Sequence, residues 1–255
     1  MYSHKYLDDE NYFGNIYVKT NIVENLEKEL RSKSWKREIV NAGGITDNYQ
    51  PAEAGYKLMP DILKLLIKYR TPAIISTKSD LILRDYDLID QLSRITYVNI
   101  ATTITTMDEN VRKLIEPNGS PSEKRFGMLR EFSKTNASIG VHVMPVIPFI
   151  TDTEENLNGI FSAAKDARAD YLLPGTLYLR GNTRKYFFDF VSKSYPDAYK
   201  KLKTLYKTGS AGKEYKNYLY AIINRLRADY GLSGNYSKQI KEKINHGQLS
   251  LFDDM

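Results

Sequence analysis

The sequence predicts an α/β fold with parallel strands, arranged as a full or partial (β/α) barrel. Three observations carry this expectation. Helical and strand-like patterns alternate from residue 16 to about residue 180. The strand segments are short, unbroken apolar runs, the pattern of strands buried on both faces beneath helices. No G-x-G-x-x-G follows the first strand and no Walker A sequence is present, which weakens the nucleotide-binding open sheets and favours the barrel.

The elements follow in order. Residues 21–33 place Ile22, Leu26 and Leu30 at helical spacing, with Asn21 as an N-cap. Glu38 to Asn41 reads as a strand that ends in Ala42-Gly43-Gly44. Residues 56–70 form a helix with Leu58, Ile62, Leu65 and Leu66 on one face, and Thr71-Pro72 stops it. Ala73 to Thr77 is a short buried strand, 85–94 a helix and 97–104 the next strand. A helix over 121–135 has Pro121 just inside its start. Ser138 to Val146 is a strand, Thr151 to Glu155 opens a helix with acidic capping chemistry, and Asp170 to Pro174 is a further strand. The chain from 183 to 245 is helical.

Composition narrows the function classes. At 255 residues, 42% hydrophobic and 27% charged, the chain has the make-up of a folded domain and not of a collagen-like, mucin-like or disordered one. With no cysteine it has no disulfide, no thiolate zinc site and no cysteine nucleophile. His4, His142 and His246 are scattered, so no metal site is expected in this chain, and His142 reads as a core or barrel-lining residue. No run approaches the ~20 apolar residues of a membrane span. The start, Met1 to Tyr6, lacks the apolar core of a signal peptide, so a cytoplasmic protein without a membrane partner is expected.

Charge is uneven. Residues 1–182 carry 23 Lys and Arg against 24 Asp and Glu, whereas 183–245 carry 14 against 5. The basic segment holds nine tyrosines interleaved with Lys200, Lys201, Lys203, Lys207, Lys213 and Lys216. The lysines suit phosphate contacts with DNA or another nucleic acid, while most of the tyrosines are read as packing the extension against the barrel.

Polar residues gather at the strand ends, where a barrel builds its site. They are Asn41 to Gly44 with Thr46 and Asp47, then Ser76 to Ser79, then Thr102, Thr103, Thr105 and Thr106, then Pro145 to Pro148, and last Tyr178 and Arg180. Hydroxyls, a lysine and an acid on one face suit a small polar, partly anionic ligand.

The segments NAGGITDNYQPAE (41–53), ISTKSDLILRDYDLID (75–90), TTITTMDENVRKLIEPNGSPSEKR (102–125) and GVHVMPVIPFITDTEENL (140–157) occur in this order. Together they resemble the radical S-adenosylmethionine superfamily, in its DNA repair photolyase and spore photoproduct lyase-like branch. The resemblance runs from residue 2 to about residue 190. It implies a partial (β/α) TIM-like barrel of about five to six parallel strands with a helical C-terminal extension. It also implies a CxxxCxxC loop that binds a [4Fe–4S] cluster. Tyr2 to Tyr6 resembles the stretch just after that loop, so the first strand and the three thiolates are expected to be missing from this chain. The domains expected are a barrel over 1–182, the basic extension over 183–245 and a tail over 246–255.

Position by position, the resemblance places S-adenosylmethionine against several residues. Gly43, Gly44, Thr46 and Asp47 stand at the motif that holds its methionyl amine, with the usual final acid displaced. Ser76, at the same strand end as Lys78, is counted among the cofactor-binding residues, and Lys78 faces the methionyl carboxylate. Thr103 lies near the ribose, and Arg125 is the arginine of the LEP…R segment. Val146, Ile147 and Pro148 meet the adenine, and Tyr2 packs on the cofactor. The implied activity is reductive cleavage of S-adenosylmethionine to a 5′-deoxyadenosyl radical that acts on a nucleic-acid lesion or base. A chain without the cysteine loop is expected to be inactive alone. No catalytic residue is assigned beyond Tyr178 as a candidate radical relay.

The chain closes on Gln248-Leu249-Ser250-Leu251-Phe252, which resembles the bacterial sliding-clamp-binding peptide. The alternative reading is therefore a non-catalytic DNA-associated binding module tethered to the sliding clamp.

Overall fold

The protein is described from a computed structural model that covers residues 16–44, 46–236 and 240. Five parallel strands form one sheet in the order β1-β2-β3-β4-β5: β1 (Val40–Ala42), β2 (Ala73–Ser76), β3 (Val98–Thr103), β4 (Ser138–Val146) and β5 (Tyr171–Thr176). Spatial order equals sequence order. Crossovers of one hand then place every connecting helix on the same face, and the opposite face curls inward as a partial barrel. A doubly wound sheet needs a reversal of strand order, and there is none among the described strands.

The helical layer comprises α1 (Ile22–Leu30), α2 (Pro51–Tyr56), α3 (Leu58–Lys68), α4 (Tyr86–Ile95), α5 (Glu109–Ile115), α6 (Ser122–Phe132) and α7 (Glu154–Asp166). A 3₁₀ helix, Asp80–Asp85, precedes α4. The helix expected over 56–70 is divided. Tyr56 closes α2, and Lys57 adopts φ 51 before α3 begins. Pro121 stands at the N-cap of α6 and not inside it. Asn21 occupies the N-cap of α1 without a side-chain hydrogen bond, whereas Thr153 caps α7 by accepting from Asn156 N at 3.2 Å.

The strands are not apolar on both faces, which corrects the expectation. The register assigns their residues to two sides. Ile75, Ile100 and Ile139 lie in one row and Val141 with Leu172 in the next, and all five belong to the main core against the helices. The other side carries Ile74, Asn99 and Ser138, then Ser76, Ala101, Gly140 and Tyr171, then Thr103, His142 and Leu173. Successive strand residues face opposite ways, so a run such as Ile139 to Val143 hides a small or polar inner row behind an apolar outer one.

The inner face is filled at its N-terminal end by Tyr171. Its hydroxyl donates to Asn99 Oδ1 at 3.0 Å, and Asn99 Nδ2 donates to Ser138 O at 3.2 Å. The ring takes the space a side chain at Gly140 would need, since a Cβ there would lie 2.1 Å from Tyr171 Cζ. Gly140→Ala is therefore expected to destabilise the protein by about 1–3 kcal/mol, as overpacking does. Urea unfolding checks this, and a midpoint equal to wild type would refute the close approach.

The C-terminal helices are α8 (Gly181–Ser194), α9 (Pro196–Leu205) and α10 (Gly212–Tyr230). Leu179, Phe188, Val191, Leu202 and Tyr206 form a second core beneath α8 and α9. Leu219, Ile223 and Leu226 of α10 belong to the main core. Four tyrosines spend their hydroxyls on the preceding part of the chain. Tyr206 donates to Leu177 O, Tyr215 to Asp152 Oδ2, Tyr220 to Pro174 O and Tyr230 to Asn158 Oδ1. Past α10, Leu172 N donates to Ser233 O at 2.9 Å, which sets residue 233 beside β5. Among the described residues, no helix is long and apolar enough to cross a membrane.

Candidate functional site

The C-terminal ends of β1, β2 and β3 converge on one cluster. β1 ends in a turn at Gly43, which adopts φ +99 and passes so close to β2 that a Cβ would lie 2.2 Å from Ser76 O. Only glycine fits both the conformation and the contact. The turn is then tied down by Asp47. Its Oδ1 accepts from Tyr49 N at 2.9 Å and from Thr77 Oγ1 at 2.7 Å, and its Oδ2 accepts from Lys78 N at 2.7 Å. Asp47 thus fastens the β1 turn to the end of β2, while Gly44 and Thr46 remain exposed.

A second carboxylate organises the cations. Glu116 Oε1 pairs with Lys78 Nζ at 2.7 Å and its Oε2 with Arg125 Nη1 at 2.7 Å. Arg125 is 0% exposed and Glu116 9%, whereas the Lys78 side chain is 42% exposed. Arg125 also donates from Nε to Ser120 O and from Nη1 to Thr103 O, each at 2.7 Å. Its Nη2 is buried without a partner, packed where a Cβ at Gly119 would intrude to 2.2 Å. Arg125 therefore reaches the site through Glu116 and the β3 end. Burial pushes the Glu116 carboxyl up, but Lys78 and Arg125 outweigh it and hold it below the usual carboxylate range. The ammonium of Lys78 keeps an open side toward solvent.

The inner barrel face adds polar groups with no assigned duty. The side chains of Ser76, Thr103 and His142 have no hydrogen-bond partner among the described residues. Thr103 and His142 are register partners on β3 and β4. His142 tilts against Tyr171 with ring centroids 6.1 Å apart, and burial holds it below the ordinary imidazole value, which keeps it neutral near pH 7.

The other expected residues lie elsewhere. Val146, Ile147 and Pro148 are buried at the end of β4, where Ile147 N donates to Thr151 Oγ1 at 2.8 Å. Tyr178 is exposed and accepts from Arg180 Nε at 2.7 Å, with the guanidinium 4.8 Å above its ring. Lys200, Lys201 and Lys203 of α9 are exposed, as are Lys207 and Lys213, while Lys216 is half-buried. Tyr2 and Gln248 to Phe252 lie outside the described residues. Among the described residues, no group of three or more His, Cys, Asp or Glu is placed to hold a metal ion.

Sequence reasoning did not single out Glu116 or the network behind it, although Glu116 lies inside the quoted 102–125 segment. Glu53 also escaped it. Glu53 accepts from Leu58 N and Met59 N at the start of α3, and it pairs with Arg84 Nη2 at 2.7 Å, while Arg84 also binds Asp85. This locks the segment after β1 onto the 3₁₀ helix after β2, so the two strand ends are held in register from below.

The chain is 31% identical over 238 residues to the uncharacterized protein Rv2578c of Mycobacterium tuberculosis, covering 92% of this chain and 70% of that one. It belongs to the family of that protein. The uncharacterized protein MJ0683 of Methanocaldococcus jannaschii is 29% identical over 206 residues, covering 81% of this chain and 72% of its own length. No protein-family profile matches. Among solved structures, a spore photoproduct lyase variant superposes with a TM-score of 0.62 at 13% identity, covering 84% of this chain. Another, with bound AdoMet and dinucleoside spore photoproduct, superposes with a TM-score of 0.53 at 14% identity over 71% of this chain. At such identities the likeness concerns the fold, which is the partial barrel of those enzymes. The chain spans 65% of the first lyase chain's length.

Proposed function

We propose that the protein is a radical S-adenosylmethionine enzyme of the spore photoproduct lyase-like type, acting on a nucleic-acid lesion or base. The observation that carries this reading is the cluster of polar side chains, partly open to solvent, at the ends of adjacent strands. Lys78, Ser76 and Thr103 stand beside the open Gly43-Gly44 turn, in a barrel of the fold that holds AdoMet in a relative. That donor set fits a zwitterion with a ribose: an ammonium for the carboxylate, hydroxyls for the sugar and bare backbone at the turn for the amine. Arg125 and Glu116 act as positioning residues that set Lys78 and the carbonyl of Thr103. Bound S-adenosylmethionine supplies a source of the 5′-deoxyadenosyl radical. A [4Fe–4S] cluster does not fit these residues, because a cluster of this kind is held by thiolates and the 255 residues contain no cysteine. The electron for the sulfonium is therefore not supplied by this chain's own residues.

Titration with S-adenosylmethionine tests the site. Lys78→Ala is expected to weaken binding about 10- to 100-fold, the loss of one charge-assisted contact. Undiminished binding by that variant, or none by the intact chain, would overturn the reading.

The nucleic-acid half of the proposal rests on the exposed lysines of α9 and the turn after it. If three of them meet phosphates, affinity for DNA is expected to fall roughly 40-fold for a four-fold rise in salt. Binding that ignores salt would remove this part.

A further inference from the structure

The turn between β4 and α7 and the first turns of α10 border an open cleft of about 560 Å³. Phe149, Asp152, Thr153, Glu214, Tyr215 and Tyr218 line it, and none of them belongs to the cluster around Lys78. The volume is that of a small-ligand pocket. Phe149 sits at φ 64, a conformation uncommon for any residue with a side chain and rare for a bulky one. Its N–H donates to Asp152 Oδ1 at 2.7 Å, which keeps it there, and its ring is 45% exposed. Across α10, Tyr218 is 60% exposed. The Tyr215 ring lies 6.5 Å from that of Tyr218, and the Tyr215 hydroxyl is fixed on Asp152 Oδ2 at 2.8 Å. The fold thus leaves two aromatic residues partly in solvent and anchors a third, an arrangement suited to a flat ring.

The polar chemistry of the walls narrows the ring. Both oxygens of Asp152 are occupied by Phe149 N and Tyr215 Oη. Glu214 is exposed and has no partner among the described residues, so its carboxylate is an open acceptor. A carboxylate accepts from the exocyclic amine of cytosine, adenine or guanine, whereas thymine has no such amine and its one donor, N3–H, is flanked by two carbonyl oxygens that repel the carboxylate. Cations stand at the rim and not in the lining. Lys201 Nζ is 5.8 Å from the Phe149 centroid, and Lys213, next to Glu214 in the chain, is exposed. They suit the phosphates on either side of a base seated in the cleft.

We propose that this cleft binds an unpaired, amino-bearing nucleobase of a single-stranded segment, with its flanking phosphates on Lys201 and Lys213. The inference rests on the nucleic-acid reading above and names an accessory base site in it. Fluorescence anisotropy with labelled oligo-dA, oligo-dC and oligo-dT at low salt tests it. Oligo-dA and oligo-dC are expected to bind about 5-fold tighter than oligo-dT. Phe149→Ala combined with Tyr218→Ala is expected to weaken oligo-dA about 10-fold or more. Both rings are open to solvent, and a thermal melt checks that the fold survives. Glu214→Leu is expected to abolish the preference over oligo-dT, a ratio that a general loss of folded protein would not move. Equal binding of all three oligonucleotides, unchanged in the double variant, would overturn the cleft while leaving the nucleic-acid reading intact. No binding of any would overturn both. Displacement of oligo-dA by tetramethylammonium and not by free adenosine would assign the aromatic walls to a cation instead and overturn the proposal.

Discussion

Glu116→Gln is expected to destabilise the protein by about 3–5 kcal/mol, the effect of breaking a buried ion pair from one side. The reason is the position of Arg125. Its side chain is 0% exposed, it pairs with Glu116 through Nη1, and its Nη2 already has no partner. Glutamine preserves the shape and one acceptor but removes the counter-charge, so a buried guanidinium is left with only neutral acceptors, among them the carbonyls of Ser120 and Thr103. For a chain of this size a loss of that order shifts the melting temperature by roughly 6–20 °C. The pH dependence gives a second readout. Glu116 is held below its ordinary value of 4.5, so its contribution is fully present above that value and is lost as pH falls through the lower folded value. The gap between wild type and Glu116→Gln is therefore expected to narrow on acidification below about pH 4.5. A gap that persists unchanged down to the acid limit of folding would show that the charge of Glu116 is not what matters.

Gly43→Ala is the second large effect expected, at about 2–4 kcal/mol together with loss of S-adenosylmethionine binding. Two costs coincide at this position. An L side chain is strained at φ +99, and its Cβ would lie 2.2 Å from the backbone oxygen of Ser76. The obstacle is the main chain of β2, which cannot swing aside as a flexible side chain does. β1 has three residues and pairs only through Val40, Asn41 and Ala42, so moving its end removes a good part of its ladder. Asp47, which ties this turn to Thr77 and Lys78, would be displaced with it. The neighbouring Gly44 supplies the control. A Cβ there would meet only Asn41 at 3.7 Å and beyond, so Gly44→Ala should melt close to wild type. Equal melting of both variants would contradict the close approach of β1 to β2.

Much of the fold was legible in the sequence because its signals are local. Ser138 to Val146 is a strand with the expected bounds, and Thr151 to Glu155 opens α7 through the Thr153 cap. The elements that escaped notice are short. α2, α5 and the 3₁₀ helix have six or seven residues each, too few for an apolar stripe to repeat. The central strands β3 and β4 are largely buried on both faces, as expected, but one of those faces is not apolar. Glycine, alanine, serine and threonine pass for the interior of an apolar run, yet at Gly140, Ala101, Ser76 and Thr103 they mark the inner wall of the barrel.

The candidate site divides along the same line. The expected candidates Ser76, Lys78 and Thr103 lie at or just past the C-terminal ends of the adjacent strands β2 and β3. Which of the polar residues are committed to the protein and which are open did not follow from the sequence. Asp47 and Arg125 looked like equal candidates with Lys78, but Asp47 is held by three donors and Arg125 is fully buried.

By itself, the sequence determined the alternation of strands and helices, the basic character of the last third of the chain and the absence of any thiolate, because each is a property of residues or of short windows. Only the tertiary structure decided that Glu116 lies between Lys78 and Arg125, that the side chains of Ser76, Thr103 and His142 have no hydrogen-bond partner among the described residues, and that Phe149 and Tyr218 line one cleft. The cost of burying a charge or leaving a hydroxyl open depends on groups brought in from other strands, and no window of the chain contains them.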